Sequence, residues 1–197
     1  TESLTGTDEP ETIEGFASND LLKGFGGEDS LVGLNGNDTL DGGTGSDQLS
    51  GGNGDDILVG GAGDDRLEGG SGNDTYIYTL GDGADTIIEH PESGSSNALR
   101  LGDSTHPIDS DDVRFETSAD NLIIVLNDGS GSLGIQNWFS ARHAGQLLID
   151  SVHFSDGAAL TPPEIDARIL QDQIIDGRAG NRTLTGDNTD HIFLSGP

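Results

Sequence analysis

The sequence predicts an all-β fold in which short strands stack in register. The first observation is a nine-residue repeat that runs eight times without interruption from Gly6 to Ile77, with the consensus pattern G-G-x-G-x-D-x-U-x, where U is large and apolar. The second is the x-U-x segment, whose polar–apolar alternation is typical of a half-buried strand. The third is the glycine content of the connecting segment, because glycine readily adopts the positive φ angles of tight turns.

Each repeat is expected to form one turn and one strand. In chain order the copies are GTDEPETIE, GFASNDLLK, GFGGEDSLV, GLNGNDTLD, GGTGSDQLS, GGNGDDILV, GGAGDDRLE and GGSGNDTYI. We divide each copy into a six-residue glycine-rich turn and a three-residue x-U-x strand. Stacked coils then place the apolar positions in inward-facing columns, which contain Ile13, Leu22, Leu31, Leu40, Leu49, Leu58, Leu67 and Tyr76.

The composition restricts the partners of this fold. The 197 residues include 36 Asp and Glu against 8 Lys and Arg, which gives a net charge of −28. Such a chain is not suited to nucleic acid or anionic lipid, because both require basic patches. Cations are its natural partners. We find no segment apolar enough to span a membrane and no recognisable catalytic motif, so we predict a protein that is not an enzyme.

The repeat also predicts a metal requirement. Ordering nine residues costs on the order of 10 kcal/mol of backbone entropy, whereas burying one leucine returns only about 1.5–3 kcal/mol. Stacking also aligns the aspartates of position six at strand spacing, where each close pair repels by roughly 3 kcal/mol at an effective dielectric near 20. A divalent cation reverses that repulsion. These aspartates are Asp20, Asp29, Asp38, Asp47, Asp56, Asp65 and Asp74.

Calcium is the cation that fits the available ligands best. All of them are oxygens, from carboxylates and from the carbonyls of glycine-rich turns. Calcium accepts six to eight oxygens in flexible geometry, whereas magnesium requires a tight octahedron. Zinc prefers Cys and His, and the repeats contain neither. A flexible acidic linker is the alternative, but a linker does not maintain a nine-residue phase.

The repeated motif resembles the RTX (repeat-in-toxin, haemolysin-type) calcium-binding nonapeptides. The resemblance implies a right-handed parallel β-roll with two nonapeptides per coil, in which calcium lies between repeat n and repeat n+2. It places Asp29, Asp47 and Asp65 on one edge of the roll. The other edge carries Asp20, Asp38, Asp56 and Asp74.

The strongest sites are expected in the five repeats from Gly33 to Ile77, and the useful sites as a whole between Gly24 and Asp85. The first repeat departs from the pattern at Glu9 and Glu11, and the second at Phe16 and Ser18. A looser ninth copy, LGDGADTII, follows a two-residue slip, and its Asp85 is expected to close the last site against Asp65. The full set of predicted metal-site residues, including those that contribute turn carbonyls, is Asp20, Gly24, Gly26, Gly27, Glu28, Asp29, Gly33, Asn35, Gly36, Asn37, Asp38, Gly42, Gly43, Thr44, Gly45, Ser46, Asp47, Gly51, Gly52, Asn53, Gly54, Asp55, Asp56, Gly60, Gly61, Ala62, Gly63, Asp64, Asp65, Gly69, Gly70, Ser71, Gly72, Asn73, Asp74, Gly81, Gly83 and Asp85.

A change in composition near residue 90 predicts a domain boundary. Residues 1–89 carry 20 acidic and 2 basic side chains, a net charge of −18, whereas residues 90–197 carry 16 and 6, a net charge of −10. We assign 1–89 to the calcium-binding roll, 90–172 to a small β-rich cap with a short helix, and 173–197 to degenerate repeats that lead to a further block. The predicted strands of the second half are Ala98–Leu101, Val113–Glu116, Leu122–Leu126, Ser132–Gln136 and Leu148–Phe154, with turns at Asp128-Gly129 and Asp156-Gly157 and a helix Ile165–Leu170 after Thr161.

The second half also carries a family resemblance. Residues 97–168 are similar to the haemolysin-type calcium-binding-related segment, with IQNWF and FSDG as the strongest matches. Trp138 and Phe139 are expected in the core of the cap, which must cover the apolar end of a stack. A ligand-stacking platform is the alternative. The tail segments GRAGNRTLT and GDNTDHIFL could continue a stack, but Arg182 and His191 replace the metal-binding aspartate.

Together these observations favour a calcium-binding module of a larger secreted bacterial protein. The module would remain unfolded at low calcium and fold at extracellular calcium, and so support type I secretion and stability. One alternative is an adhesion module that binds a polysaccharide or a cell surface through the parent protein. Another is the accessory domain of a secreted protease, lipase or epimerase.

Overall fold

The computed structural model describes residues 2–90, 95–175, 183–186 and 192–195. These residues form eighteen strands and two helices: β1 (Ser3–Thr5), β2 (Thr12–Glu14), β3 (Leu21–Gly26), β4 (Ser30–Asn35), β5 (Thr39–Thr44), β6 (Gln48–Asn53), β7 (Ile57–Ala62), β8 (Arg66–Ser71), β9 (Thr75–Tyr78), β10 (Ala84–Ile88), β11 (Ala98–Leu101), β12 (Val113–Ser118), β13 (Asn121–Leu126), β14 (Ser132–Ile135), α1 (Trp138–His143), β15 (Ser151–His153), β16 (Ala159–Leu160), α2 (Pro162–Ile175), β17 (Thr183–Gly186) and β18 (Ile192–Ser195). Within the described chain, neither helix is long and apolar enough to cross a membrane.

Successive strands of the repeat region alternate between two parallel sheets. One sheet has the order β1-β3-β5-β7-β9-β11-β15-β16, and the other has the order β12-β13-β14-β10-β8-β6-β4-β2. Leu22 pairs with Leu40, and Leu31 pairs with Leu49, so partners lie 18 residues apart. Two nonapeptides therefore form one coil. This arrangement confirms the predicted parallel β-roll.

From β3 to β9, the strands of the repeats are longer than the predicted three residues, whereas β2 of the first repeat has three. β5, for example, runs from Thr39 to Thr44 and includes two glycines that we assigned to the turn. Gly43 has a positive φ of 108° and nevertheless pairs with Gly61 in the next coil. Because neighbouring coils carry glycine at the same position, both backbones bend in the same way and the pairing continues. The true turn is short, with Gly45 at its start.

The apolar residues of the repeats form the core between the two sheets. The U-position side chains from Leu22 to Tyr76 are all at most 2% exposed, whereas Ile13 at the first coil is only partly buried. The same columns continue beyond the repeats, because Tyr76 pairs with Leu99, and Leu99 pairs with Val152. The predicted inward-facing columns are thus confirmed.

The second half extends both sheets of the roll. β11 and β15 continue the first sheet in parallel, while β14 continues the second sheet beside β10. The chain then closes the end of the roll with antiparallel pairs, β12–β13–β14 and β15–β16. The turns at Asp128-Gly129 and Asp156-Gly157 connect these pairs as predicted. Both sheets contain strands from before and after residue 90. The domain boundary proposed there stays a prediction.

Four of the five predicted strands of the cap lie where expected, and the fifth is shorter. Only Ser151–His153 of the predicted Leu148–Phe154 segment forms a strand. Leu148 and Ile149 are buried outside it, at 1% and 0% exposure. Their apolar character reflects burial in the cap, which a hydrophobic run alone does not distinguish from a strand.

The helices also differ from the prediction. α2 is longer than Ile165–Leu170 and begins at Pro162, where the hydroxyl and the N–H of Thr161 both donate to Glu164 Oε2 at 2.6 and 2.8 Å. α1 was not predicted, because six residues carry no helical periodicity. Its Trp138 is 1% exposed and is part of the core, which excludes the ligand-stacking alternative for this side chain.

The tail does not continue the parallel stack in the residues that the structure describes. β17 and β18 pair antiparallel with each other, with Thr183 opposite Ser195. Successive nonapeptides of the roll lie in opposing sheets instead. The tail segments lack the full glycine and aspartate pattern that specifies a coil, so nothing fixes that alternation. Arg182 and His191 lie outside the described residues.

Candidate metal sites

The predicted aspartates line the two edges of the roll as two columns. Asp20, Asp38, Asp56 and Asp74 lie along one edge, and Asp29, Asp47, Asp65 and Asp85 lie along the other. Each follows a glycine-rich turn; seven of them directly precede a strand, and Asp85 is the second residue of β10. All eight side chains are at most 4% exposed. Aspartate is rarely buried without compensating partners, so these columns require a physical explanation.

One carboxylate oxygen of each aspartate forms part of a continuous ladder. The Oδ1 atom of each aspartate accepts the backbone N–H of the equivalent residue in the preceding coil. On one edge the pairs are Asp20 N–H to Asp38 (2.7 Å), Asp38 N–H to Asp56 (2.7 Å) and Asp56 N–H to Asp74 (2.9 Å). On the other edge they are Asp29 N–H to Asp47 (2.8 Å), Asp47 N–H to Asp65 (2.8 Å) and Asp65 N–H to Asp85 (3.0 Å). The ladder fixes each carboxylate relative to the next coil.

The second carboxylate oxygen has no hydrogen-bond partner in five of these residues. The Oδ2 atoms of Asp29, Asp38, Asp47, Asp56 and Asp65 are buried and accept no hydrogen bond. A buried, unsatisfied carboxylate oxygen costs more than a neutral polar group, because it carries negative charge. These atoms are therefore the best candidates for metal ligands.

The first glycine of each repeat lets a carbonyl oxygen approach these orphan atoms. A Cβ atom added to Gly33 would lie 2.5 Å from Asp38 Oδ2 and 2.5 Å from the carbonyl oxygen of Gly51. Any side chain at this position would therefore fill the space that both oxygens border. The same pattern recurs at Gly24, Gly42 and Gly51. Carboxylate and carbonyl oxygens around one space match the ligands of calcium.

The other predicted site residues with side chains lie in the same turns or at the end of the strand before them, and most of them are exposed. This group includes Glu28, Asn35, Asn37, Thr44, Ser46, Asn53, Asp55, Asp64 and Asn73. In the described residues, no three His, Cys, Asp or Glu side chains converge on one point. A metal ion would consequently need main-chain oxygens in addition to the carboxylates. This fits the resemblance, which assigned turn carbonyls to the sites.

Burial and mutual repulsion raise the pKa of five of the ladder carboxylates. Loss of solvent is the largest cause, and neighbouring aspartates add to it. The pKa of Asp56 and Asp65 is raised from 3.8 to about 7, and the pKa of Asp85 to about 8. The pKa values of Asp38 and Asp47 are raised for the same reasons. The columns are thus electrostatically unfavourable without a counter-ion.

In the first coil, whose sequence departs from the repeat pattern, nearby backbone N–H groups satisfy the carboxylates. The N–H of Phe16 donates to Asp20 Oδ2 at 2.7 Å, so this aspartate has no orphan oxygen. Hydrogen bonds from the N–H groups of Glu2 and Phe16 lower the pKa of Asp20. In the first repeat, Glu11 accepts the N–H of Thr7 at 2.7 Å. The arrangement of the complete repeats therefore begins only in the next coil.

Two residues of the ladder, Asn97 and Asp150, were missed by the sequence analysis. Asp74 N–H donates to Asn97 Oδ1 at 2.8 Å, and Asn97 N–H donates to Asp150 Oδ2 at 2.9 Å. The column of this edge thus extends two coils beyond the repeats. The signal was present as a D/N-x-U-x tetrad in Asn97–Arg100 and in Asp150–His153. The long insertions between the tetrads conceal their phase. On the other edge Leu133 occupies the register position after Asp85.

Comparisons with known proteins find two matching family models and similar solved structures. The family described as "RTX calcium-binding nonapeptide repeat (4 copies)" matches residues 5–40 and 41–76, and the "Haemolysin-type calcium binding protein related domain" matches residues 121–162. The chain is similar to the AlgE6R3 subunit of the Azotobacter vinelandii mannuronan C5-epimerase, with 22% identity over 78% of this chain and 82% of that chain at a TM-score of 0.42. It is also similar to the extracellular lipase LipA of Serratia marcescens, with 15% identity over 68% of this chain and 37% of that chain at a TM-score of 0.28.

Proposed function

Residues 5–76 are RTX calcium-binding nonapeptide repeats, and from this premise we propose that calcium is a condition for folding of the module. The module folds when calcium is plentiful and loses its structure when calcium is removed. In this proposal it is part of a larger secreted bacterial protein, in which it supports type I secretion and stability outside the cell.

The five orphan Oδ2 atoms carry this proposal. They are buried oxygens of acidic side chains, stacked at the spacing of adjacent strands. Folding without a cation leaves them without compensation, at a cost of several kcal/mol. A bound calcium ion supplies positive charge at the same place. Asp29, Asp38, Asp47, Asp56 and Asp65 would hold the ions, together with carbonyls such as that of Gly51.

Modest affinities are sufficient for this role. A site with a dissociation constant of about 10⁻⁴ M stabilises the fold by about 1.4 kcal/mol at millimolar calcium. The contributions of several such sites add, and together they shift the equilibrium toward the folded chain. At sub-micromolar calcium, as inside a cell, the same sites contribute almost nothing. The difference between the two compartments then decides whether the chain folds.

Circular dichroism during a calcium titration tests the proposal. We expect an unfolded spectrum in excess EDTA and a cooperative gain of β-structure as calcium is added. Magnesium at the same concentration should have a much smaller effect, because it does not adapt to an irregular oxygen shell. A chain that is already rich in β-structure in excess EDTA would overturn the proposal.

No catalytic role is part of this proposal, and the absence of an activity stays a prediction. Binding of a polysaccharide or a cell surface through the parent protein also stays a prediction. Glycan binding that depends on calcium would support it.

A further inference from the structure

A second ladder of hydrogen bonds joins the turns on one edge of the roll. It is formed by the residues at position five, directly before the buried aspartates. We call Asn19, Asn37, Asp55 and Asn73 the outer ladder, and the edge that carries them the asparagine edge. The Oδ1 atoms of these residues accept, in order, the N–H groups of Asn37 (3.0 Å), Asp55 (3.1 Å), Asn73 (2.8 Å) and Ser96 (2.8 Å).

The opposite edge lacks this continuity. Its position-five residues are Glu28, Ser46 and Asp64. Among the hydrogen bonds of the described residues, the one bond of this type on that edge runs from Ala84 N–H to Asp64 Oδ1 at 3.0 Å. A serine side chain is one atom too short to reach the next coil as an asparagine does. The two edges therefore differ although their buried aspartates are equivalent.

The outer ladder is composed mainly of neutral amides. Three of its four members are asparagine, and Asp55 lies between two of them. The side-chain amide of Asn73 also donates to Asp55 Oδ1, at 2.9 Å. At position three of the same repeats, the side-chain amide of Asn53 donates to Asn35 Oδ1 at 2.8 Å. These contacts connect successive coils without adding the like-charge repulsion of the inner columns.

We propose that the outer ladder preorganises the asparagine edge, so that this edge becomes ordered at lower calcium than the opposite edge. The hydrogen bonds of the outer ladder form without a cation, whereas the buried aspartate columns need a cation to offset their negative charge. A site in a turn that is already ordered binds its ion with a smaller loss of conformational entropy. The inference rests on the proposed function, because it concerns the calcium requirement of the same turns.

Amide hydrogen exchange followed by NMR tests the difference between the edges. At a calcium concentration that half-saturates folding, we expect the N–H groups of Asp55 and Asn73 to exchange about tenfold more slowly than those of Ser46 and Asp64, because each hydrogen-bonded opening costs additional free energy. Equal exchange rates on the two edges would overturn the proposal.

A matched pair of variants tests the role of the acceptor atom. Asp55→Ala and Asp55→Asn remove the same charge, but only the asparagine retains an Oδ1 acceptor. We expect Asp55→Ala to abolish protection of the Asn73 N–H and to raise the calcium midpoint of folding by about twofold. The shift is small because several ions share the lost free energy. Asp55→Asn should keep the Asn73 N–H protected. Identical behaviour of the two variants would contradict the proposal.

A gain of function completes the test. Ser46→Asn places an amide acceptor at the corresponding position of the opposite edge, within reach of the Asp64 N–H. We expect this variant to protect that N–H and to lower the calcium midpoint. Gln48→Ala, at an exposed strand position outside the predicted sites, serves as the control. No gain of protection in Ser46→Asn would refute the inference.

Failure of this inference is distinguishable from failure of the proposed function. If the wild-type chain folds in excess EDTA, calcium is not a condition for folding and the proposed function is wrong. If the wild-type chain requires calcium but its two edges order together, only the role of the outer ladder is wrong.

Discussion

Asp56→Asn separates the two tasks of a ladder carboxylate. Oδ1 of Asp56 accepts the N–H of Asp38 at 2.7 Å, whereas its Oδ2 is buried without a hydrogen-bond partner. An asparagine retains the oxygen needed for the ladder and removes the negative charge. We therefore expect the substitution to have opposite effects on stability with and without calcium.

The magnitudes follow from the electrostatics of the column. In the metal-free fold, burial and repulsion from Asp74 and Asp38 raise the pKa of Asp56 from 3.8 to about 7. A shift of roughly three units corresponds to about 4 kcal/mol for the charged form, which solvent screening reduces to about 2–4 kcal/mol. The amide hydrogens of the asparagine have no partner at this position, which costs about 1 kcal/mol and reduces the gain in stability. The metal-free form should thus be stabilised by about 1–3 kcal/mol at pH values above about 7.

In saturating calcium the sign reverses. A site with a dissociation constant of about 10⁻⁴ M contributes about 3 kcal/mol at about 10 mM calcium, and the variant loses a charged ligand of that site. We expect urea unfolding in calcium to show a loss of up to about 3 kcal/mol.

Folding driven by trimethylamine N-oxide in EDTA measures the metal-free form, because this osmolyte favours compact states. Asp56→Asn should need less osmolyte than the wild type. Glu14→Gln makes the same change of charge at an exposed strand position and should behave like the wild type under both conditions. If Asp56→Asn needs more osmolyte than the wild type in EDTA, the electrostatic reasoning is refuted.

Three further perturbations test other parts of the structure. Phe25 has a φ of 77° and is 51% exposed at a position where the following coils carry Gly43 and Gly61. Phe25→Gly should therefore stabilise the calcium-bound form by about 0.5–1 kcal/mol, measured by urea unfolding. A loss of stability would contradict the assigned backbone strain. Burial and nearby carboxylates raise the pKa of Asp65 to about 7 and of Asp85 to about 8, so the folded metal-free form binds more protons than the unfolded chain between about pH 4 and pH 8. Its stability should therefore fall as pH rises through that window, and the osmolyte midpoint in EDTA should increase; a decrease would refute the assignment. The buried hydroxyl of Tyr76 accepts the N–H of Gly69 and donates to Glu89, whereas that of Tyr78 donates to the neutral carbonyl of Gly83. Tyr76→Phe should cost about 2 kcal/mol in urea unfolding and Tyr78→Phe about 1 kcal/mol, and equal losses would contradict this ranking.

The repeat region was predictable because its sequence repeats at the period of its structure. Leu40 and Leu58 occupy the same position of their repeats and become neighbours in one sheet. The aspartate columns follow from the same register. The length of the strands was not predictable, since Gly42 and Gly43 are typical of turns in isolation and form strand only because the next coil repeats them.

The second half was harder to predict because its coils have unequal lengths. Asn97 follows Asp74 by 23 residues, and Asp150 follows Asn97 by 53 residues. These intervals conceal a register that the tertiary structure restores. The hydrogen bonds of the outer ladder were missed for a different reason, although Asn37, Asp55 and Asn73 were among the predicted metal-site residues. Asparagine at position five reads as a turn residue, and only the stacked structure shows that it contacts the next coil.

The ladder formed by the buried aspartates gives the roll a polarity. Every rung joins an N–H group of one coil to a side-chain oxygen of the following coil, so each coil depends on the one after it for an acceptor. Removing coils from the amino-terminal end leaves a carboxylate oxygen that water can solvate at little cost. Removing them from the carboxyl-terminal end leaves an N–H group without its acceptor and removes the antiparallel strands that close the end of the roll. Truncation from the carboxyl-terminal end should therefore cost more stability than truncation of equal length from the amino-terminal end. The stack of coils is best supported from its carboxyl-terminal side.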